Sequence, residues 1–161
     1  MPTGPLSGGE PPQRHRTPPL SALRGVTYNV QTISRPGRLH HVLHGVRDHH
    51  IILLQSLAWA EEGVRDVEFP VMVQGTAWRI GLWKAPVGDK GAGVGIAVQQ
   101  AVLHRDVRIR GWEIYPGRVA ALSLRSKRPH VIVCTVYAPP RPITHPPTQA
   151  VYSALEECFS R

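Results

Sequence analysis

Apolar residues in this chain come in short runs with two different periods, and those periods assign the elements. Arg24–Val30 (RGVTYNV) is rich in β-branched and aromatic residues and predicts a short strand. After a turn at Pro36 and Gly37, Leu39, Val42, Leu43 and Val46 fall on one stripe and predict a helix over 38–49. Ile51–Gln55 (IILLQ) is a continuous apolar run, too short for a helix and suited to a strand buried on both faces. Glu61–Glu68 is polar and predicts a connection with at most a helical turn.

Val71–Gln74, Trp78–Trp83 and Gly93–Gln99 are three further strand candidates, the last two separated by a loop at Pro86–Gly91 (PVGDKG). Val107–Ile114 and Val119–Leu124 flank a Tyr115-Pro116-Gly117 turn. Val131–Tyr137 is a second buried strand and stops at Pro139. A Pro-rich loop then leads into a short amphipathic helix, Gln149–Phe159. Strands are mostly consecutive and helices few. This order predicts an α/β chain of the α+β type, with a pair of mixed or antiparallel sheets and helices outside. The length of 161 residues suits one core, over residues 23–161. Residues 1–22 are Pro- and Gly-rich and predict a disordered leader.

Charge narrows the partners. The formal net charge is +8, which favours a polyanion, nucleic acid or an anionic surface. Arg105, Arg108, Arg110, Arg118, Arg125, Lys127 and Arg128 are spread along the chain, which implies a basic face and not a tail. No apolar run is long enough to span a membrane, and residues 1–22 lack the apolar stretch of a secretory signal. Cys134, inside an apolar strand, is expected in the core, and with Cys158 it makes no disulfide framework. A reducing, intracellular compartment is expected, the nucleus included.

Several chemistries fail on spacing. Gly91, Gly93 and Gly95 have neither the GxxxxGK[ST] nor the GxGxxG pattern, and Lys90 precedes them, so they read as a glycine-rich strand. His40 and His44 share a helix face, but no HExxH glutamate joins them, and zinc needs three or four converging ligands. His41, His49 and His50 add none, so these histidines read as surface groups. There is no GxSxG elbow.

What remains is polar residues at strand ends, where sites on α/β folds collect: Asn29, then Gln55-Ser56, then Tyr137. The ordered segments VTYNVQTI, DHHIILLQS, KGAGVGIAV, GRVAALSL and HVIVCTVYAPP carry a resemblance. From about Arg24 to Pro139 the chain resembles the endonuclease/exonuclease/phosphatase family. That family includes apurinic endonucleases, pancreatic-type DNases and the endonuclease domains of non-LTR retrotransposons. The resemblance implies a four-layer sandwich of two mixed β-sheets flanked by helices. It implies Mg²⁺ or Mn²⁺ as the cofactor and nucleic acid as the partner, DNA ahead of RNA. It matches Asn29 to an Asn of the metal and phosphate region, and Tyr137 to the Tyr that contacts the scissile phosphate.

Two departures work against activity. Ser56 stands where the family's metal-binding Glu belongs, and a neutral hydroxyl neither neutralises the ion nor draws it from its water shell. Glu61 or Glu62 would have to reach in from the following loop. The family's later Asp-x-Asn and Ser-Asp-His motifs have no counterpart before Arg161, so the domain is expected to be incomplete at its C-terminal side, with exposed sheet edges and poor solubility. Two readings follow. One is a metal-dependent phosphodiester hydrolase fold that is inactive here. The other is a basic nucleic-acid-binding or interaction module that never cleaves.

Overall fold

The computed structural model describes residues 20–58, 66–84, 89, 91–103, 106–126, 130–138 and 146–159. Strands β1 (Gly25–Asn29), β2 (Ile51–Gln55), β3 (Asp66–Val73), β4 (Thr76–Trp83) and β5 (Val94–Gln99) form one sheet in the order β1-β2-β5-β4-β3. β1 and β2 are parallel and the remaining pairs antiparallel, so this sheet is mixed. Strands β6 (Arg108–Tyr115), β7 (Val119–Arg125) and β8 (His130–Val136) form a second, antiparallel sheet. The helices are α1 (Arg38–Gly45) and α2 (Pro146–Phe159).

The layers run helix, sheet, sheet, helix. On one face of the five-stranded sheet, Val42 and Leu43 of α1 are buried with Ile52, Leu54, Ile80 and Leu82. From its other face, Ile51, Val94, Ile96 and Val98 meet Ala120, Leu122 and Leu124 of the three-stranded sheet. β2 supplies apolar residues to both cores, which is why its sequence is a run and not an alternation. α2 packs on β6 and β7. The α+β class and the four-layer arrangement are therefore as expected from the sequence.

Boundaries moved where local signals conflict. α1 ends at Gly45, four residues short of the predicted helix, because glycine is a poor helix former and Val46 leaves the helical conformation. β3 begins at Asp66, so 66–68 are strand and not connection. Asp66, Glu68 and Pro70 alternate with Val67, Phe69 and Val71, and β4 pairs with all of them. Pro70, which has no N–H, is tolerated because β3 is the sheet's outermost strand. Gln74 and Gly75, at φ 44° and 86°, make the two-residue hairpin to β4. α2 begins at Pro146, since proline fits a helix's first turn. The leader lies outside the described residues up to residue 19, but Leu20–Ala22 form a short 3-10 turn with Leu20 buried, so ordered structure starts before residue 23.

Cys134 is half-buried, not a core residue. It shares a parity with His130 and Ile132, whereas the odd positions Val131 and Val133 pack inward and Thr135 is the buried one. Of the glycines in the glycine-rich segment only Gly95 lies in a strand, β5. Gly91 is in a turn and Gly93, at φ 116°, precedes the strand, so the expected strand starts one residue later than Gly93. A Cβ on Gly95 would lie 2.8 Å from Leu82 Cδ2 and 3.1 Å from the Gly81 carbonyl oxygen. Gly95→Ala is expected to lower stability by about 1–3 kcal/mol through overpacking, read from urea unfolding.

Just before β1, His50 Nδ1 accepts the Arg24 backbone N–H at 2.8 Å, which requires that nitrogen to be unprotonated. Burial lowers the pKa of His50, and the nearby charges of Arg24 and His49 lower it further. The folded state therefore binds this proton less readily than the unfolded state. The stabilisation is complete above about pH 6.5 and is lost as pH falls from there toward the folded pKa. A pH series of thermal melts is expected to show that decline in the wild type and a shallower one in His50→Gln.

Candidate functional site

The parallel pairing of β1 with β2 and the antiparallel entry of β5 bring the end of β1, the end of β2 and the start of β5 to one pole of the sandwich. The start of β7 and the end of β8 arrive at the same pole from the other sheet, because Tyr137 N–H donates to the Arg118 carbonyl and Gly93 N–H to the Gly117 carbonyl, both at 2.8 Å. Asn29, Ser56 and Tyr137 are thus gathered at one place. Asn29 sits beside Gln55 in the β1–β2 register. Ser56 Oγ donates to the Gly91 carbonyl at 3.3 Å, and a Cβ on Gly91 would lie 3.9 Å from the Tyr137 hydroxyl.

The backbone at this pole is strained. Gln31, Ser56 and Ala58 adopt φ of 67°, 57° and 45°, a region unfavourable for residues with a Cβ. Gly93 is at 116° and Gly117 at 65°. Strain of this kind persists only where surrounding bonds over-determine it, and it concentrates at functional sites. Here the bonds are visible: Val30 N–H to the Gln55 carbonyl, Ile33 N–H to Leu57, Leu57 N–H to Gly93 and Ala58 N–H to Ala92, at 2.9–3.1 Å.

Asn29 Oδ1 accepts the Gln31 N–H at 3.2 Å, which fixes the turn and leaves the exposed side-chain amide as a donor. Tyr137 is held from two sides. Arg118 Nη1 donates to its carbonyl at 3.1 Å, and the guanidinium lies 5.1 Å from its ring centroid. The same guanidinium makes a bidentate pair with Asp89 at 2.9–3.1 Å, with the Arg118 side chain only 12 % exposed and that of Asp89 32 % exposed. Beneath them, buried Gln55 donates to Thr135 Oγ1 at 3.0 Å and to the Leu53 carbonyl at 3.2 Å, and its Oε1 accepts from Thr27 at 2.8 Å.

Arg118 therefore leaves the basic face to which its charge alone assigned it. It is a positioning residue for Tyr137, and Asp89 saturates its fork. Neither role is legible locally. The available signals were the Tyr-Pro-Gly turn immediately before Arg118 and the acidic residue in the glycine-rich tip at Asp89. Glu61, Glu62, Lys90, Arg105, Lys127 and Arg128 lie outside the described residues.

Mg²⁺ and Mn²⁺ take oxygen ligands that include carboxylates. Ser56 is neutral and points its hydroxyl at Gly91, and Asp89 is engaged by Arg118. Among the described residues no three His, Cys, Asp or Glu side chains gather. Among the described residues the pole presents the Asn29 amide and the Tyr137 hydroxyl as neutral donors, with the Arg38 guanidinium bonded to the Val30 carbonyl at 3.4 Å.

A chain of this build is endonuclease-like in fold. Among solved structures it is similar to the endonuclease domain of TRAS1, a telomere-specific non-LTR retrotransposon, with a TM-score of 0.51 at 11 % sequence identity. The match covers 86 % of this chain and 52 % of that one, so this chain spans about half the length of that structure. No protein-family profile matches the sequence, and no curated protein matches it.

The Asp89–Arg118 pair is checked by a double-mutant cycle. Asp89→Asn and Arg118→Lys are each expected to lower stability by about 1–2 kcal/mol, a range discounted for the exposure of Asp89. The double variant is expected to lose clearly less than the sum in urea unfolding.

Proposed function

We propose that this chain is an endonuclease-type domain that holds nucleic-acid phosphate at its strand-end pole and does not hydrolyse it. The observation that carries this reading is the pairing state of the pole's polar groups. Ser56, which the sequence resemblance matches to the family's metal-binding carboxylate, bonds to the Gly91 carbonyl, while Asp89 is paired with Arg118. In-line attack on a phosphodiester needs an activated water and stabilisation of developing negative charge. The Asn29 amide and the Tyr137 hydroxyl supply hydrogen bonds to a phosphate oxygen, and neither activates water.

DNA is the favoured form of the partner, on the resemblance to DNA-cleaving relatives and on the net charge of +8. Fold and basic charge are what a binding module keeps when cleavage is lost. The fold is an inheritance from metal-dependent hydrolases, and the family's catalytic ion is not expected to bind well here.

A plasmid-nicking assay of the full chain tests the absence of cleavage. Supercoiled DNA is expected to stay intact with Mg²⁺ or Mn²⁺, and nicking above the no-protein control that EDTA abolishes would overturn it. Phosphate holding is tested separately. Asn29→Ala with Tyr137→Phe is expected to weaken binding of a labelled DNA duplex about threefold to thirtyfold, on the order of one hydrogen bond per side chain, with the thermal transition retained.

A further inference from the structure

A second surface, away from the pole, carries basic charge that the strand-end site does not use. Alternation along β6, β7 and β8 turns Ile109, Leu124 and Val131 inward onto the other sheet, so their neighbours face out. The register places the outward residues in rows. Arg108, Arg125 and His130 form the first row, and Arg110, Ser123 and Ile132 the second. A third row of Trp112, Ala121 and Cys134 follows, and α2 packs on β6 and β7 there, leaving Ala121 fully buried. The first two rows stay open. Arg108, Arg110, Arg125 and His130 are exposed, and Ile132 is 44 % exposed.

Two features make this surface more than a solvated strand face. Arg108 and Arg125 are directly opposed across β6 and β7, a like-charge pair that costs stability in the absence of an anion. Among the described residues no carboxylate pairs with Arg108, Arg110 or Arg125. Opposed side chains stand about 5 Å apart and successive rows about 7 Å apart. Three guanidiniums therefore cover a length equal to about two nucleotides of duplex rise.

We infer that the outer face of β6–β7–β8 is a second nucleic-acid contact, on which Arg108, Arg110 and Arg125 grip the phosphates of one backbone without reading sequence. The class of partner rests on the reading of the strand-end pole, while the surface and its residues are independent of it. The two contacts lie at different places on the molecule. β8 runs from His130 in the first row to Val136, next to Tyr137 at the pole, so a nucleic acid engaging both would pass along the three-stranded sheet. Binding through this face is electrostatic and falls with salt as counterions are released.

The test is fluorescence anisotropy of the full chain with a labelled 20-base-pair duplex across a salt series. Arg108→Gln with Arg125→Gln is compared with Arg24→Gln with Arg47→Gln, which removes the same charge near the start of β1 and the end of α1. The Arg108/Arg125 variant is expected to lose about thirtyfold in affinity near physiological salt and to flatten the log–log salt slope by about 2. The Arg24/Arg47 variant is expected to lose less than about threefold. Equal losses in the two doubles would overturn the inference, because net charge alone would then explain binding. No binding by the wild type would also overturn it. So would vesicles rich in phosphatidylserine that bind more tightly than the duplex and depend on Arg108 and Arg125, which would assign the face to a membrane. If Asn29→Ala with Tyr137→Phe leaves binding intact while Arg108→Gln with Arg125→Gln abolishes it, the pole reading fails and this one stands. The reverse result rejects this one alone.

Discussion

The Thr135 hydroxyl sits between the two sheets and belongs to both. It donates to the Leu54 carbonyl of β2 at 3.0 Å and accepts from the Gln55 amide, and Gln55 in turn is held by Thr27 of β1. The surrounding interface is apolar and non-directional, and it would tolerate a small slide of one sheet over the other. A hydroxyl with two fixed partners does not. Its loss would leave one N–H of the buried Gln55 amide without a partner, the other staying on the Leu53 carbonyl, at a cost of about 1–3 kcal/mol. The positions of Asn29 and Ser56 relative to Tyr137 follow from this clamp. The first two leave β1 and β2 just beyond it, and Tyr137 leaves β8 two residues after Thr135.

The pole built on that clamp is polar, and the charge described there is tied down. The Asp89–Arg118 pair is internal, the Arg38 guanidinium is bonded to the Val30 carbonyl, and beside them stand an amide, a hydroxyl and a phenol. On the proposed reading such a surface would orient a phosphate, while the exposed guanidiniums of Arg108, Arg110 and Arg125 stand on the outer rows of the three-stranded sheet. Holding and attraction would then be divided between two parts of the molecule. In an active metal-dependent hydrolase both converge on a single ion.

Much of the fold was legible in the sequence, and the reasons differ between elements. Ile51–Gln55 has the same limits in sequence and structure because an uninterrupted apolar run bounded by polar residues has one reading. The first half of β3 was not legible, because an outermost strand with Asp66, Glu68 and Pro70 has the composition of a loop and becomes a strand only by pairing with β4. Asn29, Ser56 and Tyr137 were identified by resemblance, and the structure brings them to one pole. The partnership of Asp89 with Arg118 spans 29 positions and depends on two turns meeting, for which the local pattern holds no signal. The same limit placed Cys134 in the core: an apolar run shows that a strand is buried and not which of its faces is covered.

The edges of the five-stranded sheet are unequal, and Pro70 makes them so. Along β3 the outer row of backbone groups is interrupted by a residue without an N–H, so an incoming strand finds no continuous ladder there. β1, at the other end of the sheet, carries no such interruption over Gly25–Asn29. Self-association through this sheet by strand addition is therefore limited to the β1 edge: two copies joined there would close as a pair, and the β3 edges left outside would stop further growth.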